Sequence, residues 1–450
     1  MSLPRYSDYK NSGVNWLGNV PSHWGVDRLK ASVASARNGI WGEEPQGNET
    51  DIACVRVADF DRGRLRVKPQ VPTVRSVTDK ERVGRMLNKG DLLLEKSGGG
   101  ELQPVGQVVL YHLDMPAVCS NFVARVALKQ GMCAGYWNYV HCAAYSVGVN
   151  IGSINQTSGI QNLDQDRYFN ELAPFPPEDE QAAIAAFLDR ETAKIDALIA
   201  EQEKLIALLA EKRQATISHA VTRGLNPNAP MKNSNVAWLA EIPAHWGVTR
   251  LKYSTDAVVD CPHETPKYDV EGSYRVIRTA DVSEGRLHTE KMYSVAKEEF
   301  LARIRRMSVN EGDVVYGREG ERWGFAAQVP RSDVYCLGQR MMQFRPAAGM
   351  HSRFLMWQLN AQSTYRQGEM DTVGATSPHV NVSTIRNYAL TKPPTPEQAE
   401  ICEFLDAETE KLDELDSEAE RTIVLLKERR GALIAAAVTG QIDVRNLLLS

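Results

Sequence analysis

Apolar residues recur at helical spacing over two long stretches of this 450-residue chain. In the first, PPEDEQAAIAAFLDRETAKIDALIAEQEKLIALLAEKRQATISHAVT at residues 176–222, Ile184, Leu188, Ile195, Leu198, Leu205 and Leu209 step by threes, fours and sevens. The second, PPTPEQAEICEFLDAETEKLDELDSEAERTIVLLKERRGALIAAAVT at residues 393–439, repeats the stripe with Ile401, Leu405, Leu412, Leu415, Ile423 and Leu426. Such a stripe marks a helix that packs on another helix. Glu178, Asp179 and Glu180 put negative charge at the positive end of the first helix dipole, while Thr395, Pro396 and Gln398 suit a capping box. Gly224 and Gly440 offer stops. A 45-residue helix is roughly 67 Å long, more than one small core covers, so each helix is the expected partner of the other. One folded segment joins the end of the first to the start of the second, which calls for antiparallel pairing with a domain at each end.

The pattern outside the helices is also duplicated. NSGVNWLGNVPSHWGVDRLK at 11–30 returns as NSNVAWLAEIPAHWGVTRLK at 233–252, with Trp16, Pro21, His23, Trp24, Arg28, Leu29 and Lys30 matched. A structural role is expected for His23 and Trp24, and for His245 and Trp246, with each indole in a core. Arg56-Val-Ala-Asp59 and Gly63-Arg-Leu65 are answered by Arg278-Thr-Ala-Asp281 and Gly285-Arg-Leu287, and Asn88-Lys-Gly-Asp91 by Asn310-Glu-Gly-Asp313. β-Rich runs at 52–57, 92–94, 107–110 and 123–126 predict short strands, and 131–145 and 351–366 predict helices. Each domain is then a mixed α/β unit of about 160 residues, a normal size for one core. The expected fold class is α+β: two similar mixed α/β domains joined by two long antiparallel helices in a coiled coil, with pseudo-two-fold, cyclic organisation. The segments are a first domain at 1–175, a helix at 176–223, a linker at 224–232, a second domain at 233–392, a helix at 393–440 and a tail at 441–450.

Composition narrows the class. With 43% hydrophobic and 24% charged residues the chain has the make-up of a soluble protein. It has no apolar run near the ~20 residues that span a bilayer and no signal peptide, so a cytoplasmic protein is expected. Seven cysteines without a CxxC pair argue against a disulfide framework or a zinc site, and Cys133, His141 and Cys142 lack a fourth ligand. The net charge of −5 is unevenly spread. Residues 178–222 hold nine acidic and five basic side chains and residues 395–439 twelve and five, so the helices carry −4 and −7 and the rest of the chain +6. A basic excess on the domains permits DNA binding.

Catalytic signals are weak. KSGGGE at 96–101 lacks P-loop spacing, and Pro393-Pro394 lacks the Asn/Asp-Pro-Pro-aromatic setting of amino-methyltransferases. Asp91, Glu95 and Lys96 suggest a metal nuclease only faintly, because on an alternating strand Glu95 and Lys96 face opposite sides. A non-catalytic protein without catalytic or metal-binding residues is expected.

The NxxVxWLxxxPxHWxVxRLK segment, the PPxxEQxxIxxFLDxET helix ending in AVT, and their repetition around two variable domains resemble the specificity subunit of type I restriction-modification enzymes over essentially the whole chain. The resemblance implies two target recognition domains, each reading half of a split double-stranded DNA site, held apart by the antiparallel helices. Those helices also dock two copies of a DNA adenine methyltransferase subunit, and restriction translocase subunits can join. S-adenosylmethionine is then expected in the methyltransferase partner, with no cofactor in this subunit and no membrane partner. Glu178-Asp179 in place of Thr395-Pro396 departs from the repeat at the helix start. The alternatives are a coiled-coil scaffold with no DNA role, which gives no reason for two basic, loop-rich, diverging domains, and a stand-alone DNA-modifying enzyme.

Loops that differ inside a matching frame are the candidates for base reading. After the matched Gly-Asp, residues 95–103 and 316–323 diverge and contribute Lys96, Gln103, Arg318, Glu319 and Arg322. Arg and Lys suit guanine, Gln suits adenine and Glu accepts from the cytosine amino group. Polar loops at 155–163 and 374–382 add Gln156, Gln161, His379 and Asn381. The matched Arg64 and Arg286 are phosphate contacts or solvated turn arginines.

Overall fold

The structure is a computed structural model that describes residues 3–157, 159–320, 322–373, 379–445 and 447. It contains the two expected helices, Glu178–Arg223 and Thr395–Val438. The chain forms two compact units, one of Met1–Glu203 with Arg421–Ser450 and one of Lys204–Glu420. Their boundary falls inside both long helices and not at the ends expected from the segment pattern, because each unit takes core residues from one end of each helix.

Within unit 1, Ile184 and Leu188 near the start of the first helix share a core with Ile434, Ala437 and Val438 near the end of the second. Further along, Asp196 Oδ1 accepts from Arg430 Nε at 3.0 Å, so the two segments run antiparallel. In unit 2 the same pattern recurs with roles exchanged: Ile217, Ala220 and Val221 pack with Ile401 and Leu405, and Arg213 pairs with Asp413. Each pairing traces to an Ile-x-x-Ala-Val end and a buried Ile-x-x-x-Leu start. The stripe is only partly consumed. Leu198, Leu205 and Leu415, expected to pack on the opposite helix, are exposed.

The helix stops are glycines in the left-handed region, Gly224 at φ 75° and Gly440 at φ 74°. A Cβ at Gly440 would fall 2.3 Å from Pro21 Cδ, and one at Gly224 3.1 Å from the Trp246 ring. Both glycines therefore serve as a turn and as a seat for the Pro-x-His-Trp segment. The capping box expected at Thr395 is replaced by a tertiary contact. Gln398 donates to the carbonyls of Pro393 at 2.9 Å and Gly349 at 3.1 Å and accepts from the His351 N–H at 2.8 Å.

Unit 1 holds a six-stranded mixed sheet in the order Val33–Asn38, Val123–Leu128, Leu92–Glu95, Val108–Leu110, Arg66–Val67, Phe60–Asp61. A three-stranded sheet of Ala117–Cys119, Asp51–Val55 and Val74–Ser76 lies in the same unit. Unit 2 repeats the plan with Thr255–Asp260, Met341–Pro346, Val314–Gly317 and Ala326–Gln328, and with Ser294–Val295, Tyr274–Ile277 and Tyr335–Leu337. The expected strands are present. Of the expected helices, the first is Ala134–Ser146, and the second is divided into Ser352–Leu359 and Gln362–Glu369.

One core position separates the units chemically. His141 is buried in unit 1, its Nδ1 2.8 Å from the Tyr168 hydroxyl, where the repeat places buried Leu359 and Ile385 in unit 2. Burial pushes the His141 imidazole down from 6.5 to about 4. Its stabilising contribution is complete above pH ~6.5 and is lost as pH falls toward ~4, because the unfolded chain takes up the proton first. The loss across that window is about 3 kcal/mol. A His141→Leu, Tyr168→Ile variant is expected to flatten the acid side of the unit 1 melting profile. An unchanged pH slope between 6.5 and 4 would reject this assignment.

Candidate nucleic-acid interface

The matched Asn-x-Gly-Asp turns anchor the variable loops. Asp91 accepts from the Asn88 N–H at 2.7 Å, from Arg125 Nε at 2.6 Å and from its Nη2 at 3.2 Å. Asp313 does the same with Asn310, Arg345 and Gln343 at 2.8, 2.8–2.9 and 2.6 Å. A carboxylate buried among so many donors fixes the turn to the neighbouring strand, and the strand leaving it delivers the loop.

Each half brings its two candidate loops together. In unit 1, Ser97–Gly98 pairs with Ile160–Leu163, which pairs with Ile154–Thr157, so Gln156 and Gln161 share one small sheet, and the Leu163 N–H reaches the Lys96 carbonyl at 2.8 Å. In unit 2 an isolated bridge joins Glu319 to His379, and the Val380 N–H reaches the Arg318 carbonyl at 3.3 Å. Residues 158, 321 and 374–378 of these loops lie outside the described residues.

The individual candidates divide by exposure. Gln103, Gln156, Arg322 and Asn381 are exposed. Lys96, Glu319 and His379 are half-buried. Arg322 donates to the Ala280 carbonyl at 3.3 Å, and Asn381 Nδ2 lies 3.4 Å from Asp371 Oδ2. Two residues turn inward. Gln161 is buried and its side-chain oxygen accepts from the Val105 N–H at 3.2 Å, which makes it a support for the Gly-rich loop and not a reader. Arg318 is buried between Glu319 and Asp260, whose Oδ1 is 3.7 Å away, so its guanidinium is already neutralised. Arg64 and Arg286 are exposed, but each lines a crevice beside a long helix. Arg64 faces Asp189, Asp196 and Arg430, and Arg286 faces Asp406, Asp413 and Arg213. None of the loop candidates lines either crevice.

The pattern missed four residues on this face of unit 1. Arg62 holds both oxygens of Glu95 at 3.1 Å beneath the Gly-rich loop. Burial raises the Glu95 carboxyl above its ordinary pKa, and Arg62 opposes that shift. The crevice they line also touches Gly99, Glu101 and Gln103 and continues to Trp41, Arg56 and Phe122. Aligning 119–123 with 337–341 as a diverging loop was the available signal.

The matched motifs, by contrast, hold the frame. His23 lies 2.6 Å from Glu180 and His245 2.8 Å from Glu397, while Trp24 donates to Glu180 at 2.9 Å. Trp24 and Trp246 are buried, as expected. Gln181 repeats Gln398, taking the Cys133 N–H at 3.1 Å. Asp189 accepts from the Tyr139 hydroxyl and Asp406 from Trp357. Among the described residues no group of three His, Cys, Asp or Glu side chains is placed to hold a metal ion, and no helix is long and apolar enough to cross a membrane.

A duplicated frame with its repeated residues inside and its diverging loops side by side on each half is that of a two-module recognition protein. Residues 261–423 match the family described as type I restriction modification DNA specificity domain. The chain is 22% identical over 381 residues to the type I restriction enzyme MjaVIII specificity subunit of Methanocaldococcus jannaschii, covering 82% of this chain and 83% of that protein. In fold it is similar to a chain from a structure describing complex assembly and conformational transition of the type I R-M system, with a TM-score of 0.63, 17% identity and coverage of 93% and 98%. It is also similar to the HsdS subunit from Thermoanaerobacter tengcongensis, with a TM-score of 0.51, 15% identity and coverage of 94% and 98%. Residues 261–423 thus match a type I restriction modification DNA specificity domain, and over most of its length the chain is similar to a type I specificity subunit.

Proposed function

We propose that each unit reads one half of a bipartite duplex-DNA site, and that methylation is carried out by methyltransferase subunits docked on the long helices. The observation that carries this reading is the pairing of the diverging loops, 96–103 with 154–163 and 316–323 with 379–381, on an otherwise repeated frame. Bases are read by side chains that differ between half-sites, whereas the support for those side chains need not differ. Exposed Leu198, Leu208, Leu415, Val424 and Leu425 supply apolar surface on the helices for two methyltransferase subunits. S-adenosylmethionine belongs to those partners, restriction translocase subunits complete the assembly, and the setting is the cytoplasm. A pure scaffold leaves the diverged loops without a task.

The test is methylation of a random duplex library by the chain with its methyltransferase subunits, followed by mapping of modified adenines. A two-part consensus is expected, and modification without sequence preference would overturn the reading. Within it, Arg322→Ala is expected to cost about 1–3 kcal/mol and to relax one base pair of a single half-site. Uniform weakening over both half-sites would make Arg322 a phosphate contact, and no effect would remove it from the interface.

A further inference from the structure

Trp41 and Phe122 present large apolar surfaces on unit 1, 39% and 45% exposed. They line one crevice with Arg56, Ser120 and Asn121, which shares Val57 and Ala58 with the crevice under the Gly-rich loop. Phe122 is carried at the root of that loop. Its carbonyl accepts from the N–H groups of Lys96 at 2.9 Å and Ser97 at 3.3 Å. Trp41 is held still by Arg75, whose guanidinium carbon lies 4.6 Å from the ring centre. Arg75 also donates to the Trp41 carbonyl at 3.1 Å and pairs with Glu44. A rigid, exposed aromatic pair adjoining a base-reading loop is a surface built to be covered.

Unit 2 shows what stands in the same places. The Lys96-to-Phe122 backbone bond recurs as Arg318 N–H to Arg340 carbonyl at 2.9 Å. The Gly39-to-Val123 bond at 2.9 Å recurs as Cys261 to Met341 at 3.1 Å. These two bonds set the register: Phe122 corresponds to Arg340, Asn121 to Gln339 and Trp41 to His263. Buried Val123 and Met341 next door stay apolar, while the exposed positions change from aromatic to basic or polar. The same backbone bonds form with either set, although Arg340 takes a left-handed φ of 72° that Phe122 does not, so the fold does not require the aromatics. Apolar side chains recognise the C5-methyl group of thymine in the major groove, and arginine recognises guanine.

We infer that Trp41 and Phe122 seat a thymine methyl group in the half-site read by unit 1, and that Arg340 reads a guanine in the half-site of unit 2. This rests on the DNA-reading function above and adds the base class and the residues. Positions 41 and 122, with 263 and 340, then join the paired loops as determinants of specificity.

The experiment uses the full chain with its methyltransferase subunits on the mapped site. Each thymine of the first half-site is replaced in turn by deoxyuridine, which removes only the methyl group. One replacement is expected to weaken binding about fourfold, the equivalent of ~0.8 kcal/mol for a buried methyl. Phe122→Ala and Trp41→Ala complexes are expected to bind thymine and uracil duplexes alike while keeping the second half-site preference, which also reports an intact fold. Arg340→Ala is expected to relax one G·C pair of the second half-site at least fivefold. A first half-site without an A·T pair, methyl sensitivity that survives both aromatic substitutions, or an Arg340→Ala complex that keeps full discrimination overturns the inference and leaves DNA reading intact. Failure of the parent complex to select any sequence removes the underlying function instead.

Discussion

A fragment ending near Lys232 dimerises and, with methyltransferase subunits, modifies a palindrome built from the first half-site. The expectation follows from what this cut removes and what it keeps. It removes residues 421–450, and with them Ile434, Ala437 and Val438 from the core around Trp24. Losing even one such buried Ile costs about 2–5 kcal/mol, so a lone fragment is left with an open core. It keeps Ile217, Ala220 and Val221, the same residue types at the same spacing, which pack around Trp246 in the intact chain. A second copy can deliver them to Trp24. The polar match also holds. Arg430 bonds to Asp196 in unit 1 and Arg213 to Asp413 in unit 2, so a dimer can place Arg213 of each copy on Asp196 of the other. Two-fold pairing puts identical reading faces on opposite strands, which is the origin of palindromic sites in dimeric readers. Light scattering gives the mass and adenine mapping the site. A folded fragment that remains monomeric with the methyltransferase present refutes the expectation.

Asp313→Ala is expected to unfold unit 2 under conditions in which unit 1 survives. Asp313 is 2% exposed and accepts hydrogen bonds from Arg345 Nε and Nη2, Gln343 Nε2 and the Asn310 N–H. Replacing both charges by apolar groups can be nearly neutral, but removing one leaves the half-buried guanidinium and a buried amide without their acceptor. That loss is about 3–5 kcal/mol, a large share of the stability of an ordinary domain. Asn in place of Asp retains acceptor capacity without the charge and is expected to lie between. Calorimetry should separate the two transitions, with the lower one shifted by Asp313→Ala and the unit 1 transition shifted instead by Asp91→Ala. Equal stability of the Asp313→Ala variant and the parent would show that the turn is held by other contacts.

The sequence alone determined the elements whose cause is local and repeated. Helical periodicity, acidic first turns and Gly224 and Gly440 specify the long helices, and the two matching copies of Trp24, His23 and the Asn-x-Gly-Asp turn mark the shared frame. Divergence within that frame identified the paired loops. Gln161 stood among the base-reading candidates, because the partner that holds it inward, the Val105 N–H, is 56 residues away in the chain. Only the tertiary structure decided which polar candidates were already satisfied. Arg318 carries the same charge as Arg322 and differs because Asp260, distant in the chain, comes to lie beside it. It also decided which part of the apolar stripe was left uncovered, since periodicity selects a face and cannot name what lies on it: Leu198, Leu205 and Leu415 follow the pattern as well as Leu188 and Leu405 do, yet remain exposed. Trp41 and Phe122 were silent for the same reason. Their meaning depends on being brought to one crevice by strands far apart in sequence, and an isolated aromatic residue in a chain is most simply taken as core.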